Sequence, residues 1–185
     1  MQRIKHTSIG LAVAGLAFFC AAGSAGAADT EVVASTWQHH TITFPYFGRT
    51  SKYNCDGLEN TVRGILLHFG ARKDLKVLAS GCGPANSPGR SAFVATDFYT
   101  LAPGADPSSA ESVPAHWTAK RLDRDHPYFM DDGACELIDQ MKDLITKSFT
   151  LKDLQYRTDC VPHDLNVHGF SVKGLALTSD AASKS

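Results

Sequence analysis

The chain has 185 residues, a formal net charge of −1 and 43% hydrophobic residues. That length can bury one substantial core, or two small ones that share a sheet. A slightly acidic chain with scattered basic residues argues against nucleic acid or an anionic membrane as the main partner.

The first 27 residues read as a secretory signal peptide. Arg3 and Lys5 form a positive start, Ile9 to Phe19 an apolar stretch too short to span a bilayer, and Ala25-Gly26-Ala27 a cleavage site of the A-x-A type. Cleavage leaves residues 28–185 with 16 basic against 19 acidic side chains, a formal charge of −3. Nothing after the leader is apolar enough to span a membrane. Cys20 leaves with it, and Cys55, Cys82, Cys135 and Cys160 remain, an even number in an exported chain and hence two expected disulfides. The short, Ala-rich leader points to a bacterial periplasmic or secreted location.

Two stretches of the remaining chain run in parallel. Trp37 lies 18 residues before Cys55, and Trp117 lies 18 before Cys135; Pro45-Tyr46-Phe47 is answered by Pro127-Tyr128-Phe129, and Lys73-Asp74-Leu75 by Lys152-Asp153-Leu154. An ordered series of matches at an offset near 80 residues is the mark of a tandem duplication. The expected units are 28–101 and 115–178, joined by the Pro/Ser/Ala-rich linker 102–114 and followed by a flexible tail, 179–185.

In the first unit, Trp37 to Phe44 reads as a strand with Ile42 and Phe44 on one face and Thr41 and Thr43 on the other. A helix follows, capped by Asn54 or Asp56, with Leu58, Val62, Ile65, Leu66 and Phe69 on one stripe and Gly70 at its end. Leu75 to Cys82 and Ser91 to Leu101 are the next strands, with a Gly/Pro-rich loop from Gly83 to Arg90 between them. The second unit repeats the course. His116 to Leu122 is a strand, Asp131 or Asp132 caps a helix with the stripe Leu137, Met141, Leu144, Ile145 and Phe149, and Leu154 to Cys160 and Val167 to Leu177 are strands. The expected fold is α+β: a β-α-β-β unit twice, with parallel crossovers placing both helices on one side of a mixed sheet. In topology alone this resembles a duplicated ferredoxin-like arrangement, which implies no activity.

The crossover geometry also pairs the cysteines. A helix over residues 56–70 spans about 22 Å at 1.5 Å per residue, and a strand over 75–82 about 26 Å at 3.3 Å per residue. The chain therefore returns beside its starting point, which predicts Cys55–Cys82 and, by the same reasoning, Cys135–Cys160.

Candidates for chemistry are few. The cysteines lack the close pairing of metal or redox motifs. The adjacent His39 and His40 point to opposite faces of a strand and cannot share one ion; His163 and His168 flank the last loop without a diagnostic ligand spacing. Asp131-Asp132 and Asp123/Asp125 are explained by capping and turns. One anion-holding pair is proposed by position: Arg90 and His163, at the sheet end where the helices begin. No cofactor or metal is implied. The sequence leaves catalysis open and leans against it. The function it favours is an exported, soluble binding or interaction protein for an unknown small ligand or envelope protein. The alternatives are a small enzyme, metal-assisted through histidines, and a purely structural envelope module. The structural module would be favoured by a folded surface with no pocket but one contiguous apolar patch.

Overall fold

The computed structural model describes residues 31–48, 52–83, 89–106, 108, 110–123, 127, 134–158 and 169–179. The expected leader, both aspartates of the second helix cap, Cys160, His163 and the expected tail beyond Ser179 lie outside these residues. The elements are β1 (Val32–Phe47), α1 (Cys55–His68), β2 (Lys76–Ser80), β3 (Ser91–Pro103), β4 (Val113–Asp123), α2 (Ala134–Ser148), β5 (Leu151–Thr158) and β6 (Phe170–Thr178). The six strands form one sheet in the order β2-β3-β1-β4-β6-β5, and every neighbouring pair is antiparallel.

That arrangement overturns the mixed, ferredoxin-like sheet expected from the sequence. Strands β1 and β2 are not neighbours; β3 lies between them, antiparallel to both. Strand outweighs helix, 54% to 24% of the described residues. The physical reason lies in strand length. β1 has 16 residues and β2 only five, whereas β3 has 13 and pairs with β1 at every one of them. A short β2 could satisfy few of β1's backbone groups, and antiparallel ladders are slightly the more stable per residue. The ten residues between β2 and β3 let the chain turn back and place β3 there instead.

Each half nevertheless runs strand, helix, strand, strand, with its third strand between the other two. The halves meet at a narrow seam of four register pairs, with Ala34 opposite Pro114. Trp37 pairs with Leu101 on one side of the seam, and Trp117 with Leu177 on the other.

Period-two alternation decides the faces of the sheet. Phe44, Tyr46, Val94 and Phe98 from one half, and Leu122, Val172 and Ala176 from the other, turn inward. Against them pack the expected helix stripes: Leu58, Val62, Ile65, Leu66 and Phe69, then Leu137, Met141, Leu144, Ile145 and Phe149. All belong to one core on one face of the sheet. Phe69 and Phe149, at the helix ends, touch at 5.8 Å between ring centroids. A smaller core of Leu101, Ala115 and Leu177 lies at the seam, partly covered by Val33, Trp37, Val113 and Trp117. These residues occupy the opposite face, by register.

Helix α1 has defined stops. Asn54 caps its start, the side-chain oxygen accepting from the Gly57 amide at 2.7 Å. At its end, Ala71 N–H donates to the Leu66 carbonyl and Gly70 N–H to the Leu67 carbonyl, both at 3.0 Å, the pattern of a Schellman motif. Gly70 holds φ at +101°, and a Cβ there would come within 2.8 Å of Thr178 and 3.2 Å of the Leu177 carbonyl. Only glycine fits this close passage of α1 over the partner half.

Candidate functional site

Cys55, Glu59 and Arg63 stand at i, i+4 and i+8, a spacing that puts all three on one side of a helix. In the structure that side faces β2. Cys55 is bonded to Cys82 with a Cα separation of 5.7 Å, as the crossover lengths predicted. Glu59 accepts from the Ala79 backbone N–H at 2.8 Å, and Arg63 donates to the Leu75 carbonyl at 2.9 Å. β2 is the outermost strand, and its outward backbone groups would otherwise be open to pairing with another chain. Helix α1 thus occupies the edge, leaving the broad face of the strands as the accessible surface of this half.

That face carries the side chains that alternate away from the core. The register brings Leu78 opposite Ala95, Ser80 and Pro45 opposite Phe93 on its two sides, and Phe47 opposite Ser91. Leu78 is 66% exposed, Phe93 61% and Phe47 58%, and Pro45, Thr43 and Ala95 beside them are also exposed. Three large apolar residues side by side in water are unlike the scattered exposure normal for a folded surface. Flanking them, Lys76 and Asp97 are register partners of opposite sign.

Toward the seam the face closes. Arg72 donates to Asp74 through two nitrogens, at 2.8 and 2.7 Å, and its guanidinium lies 3.7 Å from the Tyr99 ring centroid and 5.6 Å from that of Trp37. The bond from Arg72 holds the Asp74 carboxyl below the usual carboxylate range. In the other half the Lys152 ammonium lies 3.9 Å from the Trp117 ring centroid. These cations cover the tryptophan rings. Beyond Trp117 the face turns basic, with Arg121 directly opposite Lys173 and Arg157 opposite Ser171. Asp123, nearly buried, pairs with Arg121.

The histidines separate as their alternation requires. His39 faces out and bonds Asp97 at 3.1 Å. His40 faces the core side and bonds the Thr100 hydroxyl at 2.9 Å; that hydroxyl donates to the Ser148 carbonyl at 2.6 Å. Burial, then the neighbouring His39, lowers the His40 pKa. His68, at the end of α1, has a buried Nε2 with no hydrogen-bond partner. Burial pushes its pKa down to about 4, helped by the nearby Lys120 and opposed by a backbone hydrogen bond with Arg121. Among the described residues, no group of three or more His, Cys, Asp or Glu could hold a metal ion, and no helix is long and apolar enough to cross a membrane.

Arg90 is exposed at the entry to β3, and its carbonyl accepts from Gly48 N–H at 2.8 Å. The preceding Gly89 N–H donates to the Tyr53 carbonyl at 3.0 Å, which brings Arg90 near the start of α1. Its expected companion, His163, lies outside the described residues. Cys135 is disulfide-bonded, and Cys160, its expected partner, also lies outside them. Sequence reasoning missed the exposed patch of Phe47, Leu78 and Phe93, because each residue alone reads as ordinary strand content. Only the register of three strands brings them together. The Cys55, Glu59, Arg63 spacing was the signal available for the covered edge.

No family model, curated protein or solved structure matches this chain.

Proposed function

We propose that the chain is an exported binding or interaction protein that works by docking, through the open face of β2, β3 and β1. The observation that carries this reading is the contiguous exposure of Phe47, Leu78 and Phe93. Burying a large apolar side chain contributes roughly 1.5–3 kcal/mol, so a partner that covers all three gains substantially. The Cys55–Cys82 bond is compatible with export to an oxidising compartment, periplasmic or extracellular. In this reading the protein is a rigid surface module, and its partner belongs to the envelope or its surroundings. Arg90 and His163 remain the expected anion-holding pair near the helix starts. A sulfate, phosphate and carboxylate thermal-shift series on the parent and an Arg90→Ala variant tests that pair.

Hydrogen exchange of the whole protein, alone and in an extract of its native envelope, tests the docking surface. Protection confined to β2, β3 and the end of β1 is the expected result. Unchanged exchange there, in protein that is intact and monomeric at the concentration used, would remove the docking reading.

A further inference from the structure

We propose that the occupant of this face is a second copy of the chain, packed sheet to sheet about a two-fold axis. The inference rests on the docking reading and names its partner. Three features of the face carry it.

The first is the charge pattern. Among the described residues of β2 and β3, the ionisable groups bordering the patch on the open face are Lys76 and Asp97, of opposite sign and opposite one another in register. Lys76 lies within electrostatic reach of Asp74 in its own copy, and Asp97 accepts from His39. A two-fold rotation sets each copy's Lys76 toward the other's Asp97, so the surface complements itself, as an isologous interface must. The second half of the same sheet face lacks this property. There Arg121 stands directly opposite Lys173, and apposing that region with itself would bring like charges together.

The second is the closed edge. Glu59 occupies the Ala79 N–H of β2, and Arg63 the Leu75 carbonyl just before the strand, groups that edge-to-edge addition would need. A second copy is therefore directed onto the face, where sheets pack about 10 Å apart with interdigitating side chains.

The third is composition at the centre. Phe47, Leu78 and Phe93 supply aromatic and aliphatic anchors, and Ser80, Ser91, Thr43 and Ala95 between them are small enough to receive the anchors of a facing copy.

Sedimentation equilibrium on the disulfide-bonded protein, from about 1 μM to about 1 mM, measures the association. The expected result is a monomer–dimer equilibrium reaching twice the monomer mass. Leu78→Arg adds a guanidinium beside the Lys76 ammonium in each copy, which gathers like charges near the axis and should weaken association at least about tenfold. Lys173→Glu, far from the patch, should leave it unchanged. Lys76→Asp or Asp97→Lys alone should weaken it, and the two together should restore it, because the exchanged pair is again self-complementary. Circular dichroism checks that each variant is folded; a misfolded single variant leaves the Leu78→Arg and Lys173→Glu comparison to decide. A wild-type monomer at the highest concentration overturns the proposal, as does a dimer indifferent to Leu78→Arg. If that monomer still shows β2–β3 protection in the envelope extract, the face docks a different protein and the docking function survives. Protection that appears only with anionic phospholipid vesicles assigns the face to a lipid surface. Protection with neither removes both readings.

Discussion

Strand β2 ends the sheet on one side beneath a helix, while β5 ends it on the other with an irregular backbone of its own. At β2, α1 lays a covalent bond, a carboxylate and a guanidinium along the edge in one row. At β5, the register shifts between Lys152 and Gln155, and Asp153 adopts φ of 53°. That bulge presses on β6, where a Cβ at Gly174 would lie 3.0 Å from the Lys152 carbonyl, so glycine makes room for it. Helix α2 reaches β5 through side chains, Asp139 accepting from the Tyr156 hydroxyl at 3.1 Å and the Thr158 hydroxyl at 3.4 Å. Burial, with Asp139 beside it, raises the Tyr156 pKa. A regular edge strand needs a cover; a bulged and charged one discourages partners by its own shape.

The largest test of this contrast removes the covalent member of the row. Cys55→Ser with Cys82→Ser should lower stability by about 3 kcal/mol on the loop-entropy account. It should also raise the exchange rate of the Ala79 amide more than that of amides in β5. Equal acceleration at both edges would show that α1 holds the fold generally and not the β2 edge in particular.

Glu59→Ala comes next. It leaves the Ala79 N–H without its charged acceptor and should cost about 2 kcal/mol, read as a shift in the urea midpoint with unchanged slope. The corresponding change at α2, Asp139→Ala, strands two hydroxyls that can turn to water and should cost about 1 kcal/mol or less.

The far end of α1 supplies a pH test. His68 has a folded pKa of about 4, below its ordinary 6.5. Between those values the unfolded chain binds a proton that the folded chain refuses. Stability therefore falls as pH drops through this window and levels off below about pH 4. Wild type should lose about 2 kcal/mol more than His68→Leu between pH 7 and 4, measured by urea unfolding at each pH. Parallel losses in the two proteins would exclude His68 as the source.

The smallest effect belongs to β5. Asp153→Gly relieves a positive φ but frees the unfolded chain, so the net change should stay within about 0.5 kcal/mol. A large loss in thermal melting would mean that the aspartate side chain, not the bulged backbone, closes this edge.

The elements were largely legible in the sequence, because the helix stripes and strand alternation are local patterns. Leu58 to Phe69 and Leu137 to Phe149 fall where the 3.6-residue period places them, and the Cys55–Cys82 pairing followed from element lengths. The order of strands did not follow. The crossover rule holds for parallel neighbours, and β1 and β2 never become neighbours because β3 pairs with β1 along its whole length. The candidate face was hidden for the same reason: Leu78, Phe93 and Phe47 lie on three strands, and only the correct order and register bring them side by side. Strand ends were short by a few residues, as at Val32 and Val113, where the seam pairing extends strands that show no strong alternation of their own.

The cysteines of the first half are also consecutive along the chain, and this has a consequence for how the molecule matures. Cys55 and Cys82 are 27 residues apart, and the next cysteine, Cys135, comes 53 residues later. Under the export proposed above, with the chain entering an oxidising compartment amino end first and losing the expected leader with Cys20, the native partner arrives before any competitor. Four cysteines admit three pairings, yet the order of arrival offers the first pair no choice. Correct oxidation can then proceed without an isomerase, avoiding reshuffling steps that take seconds to hours.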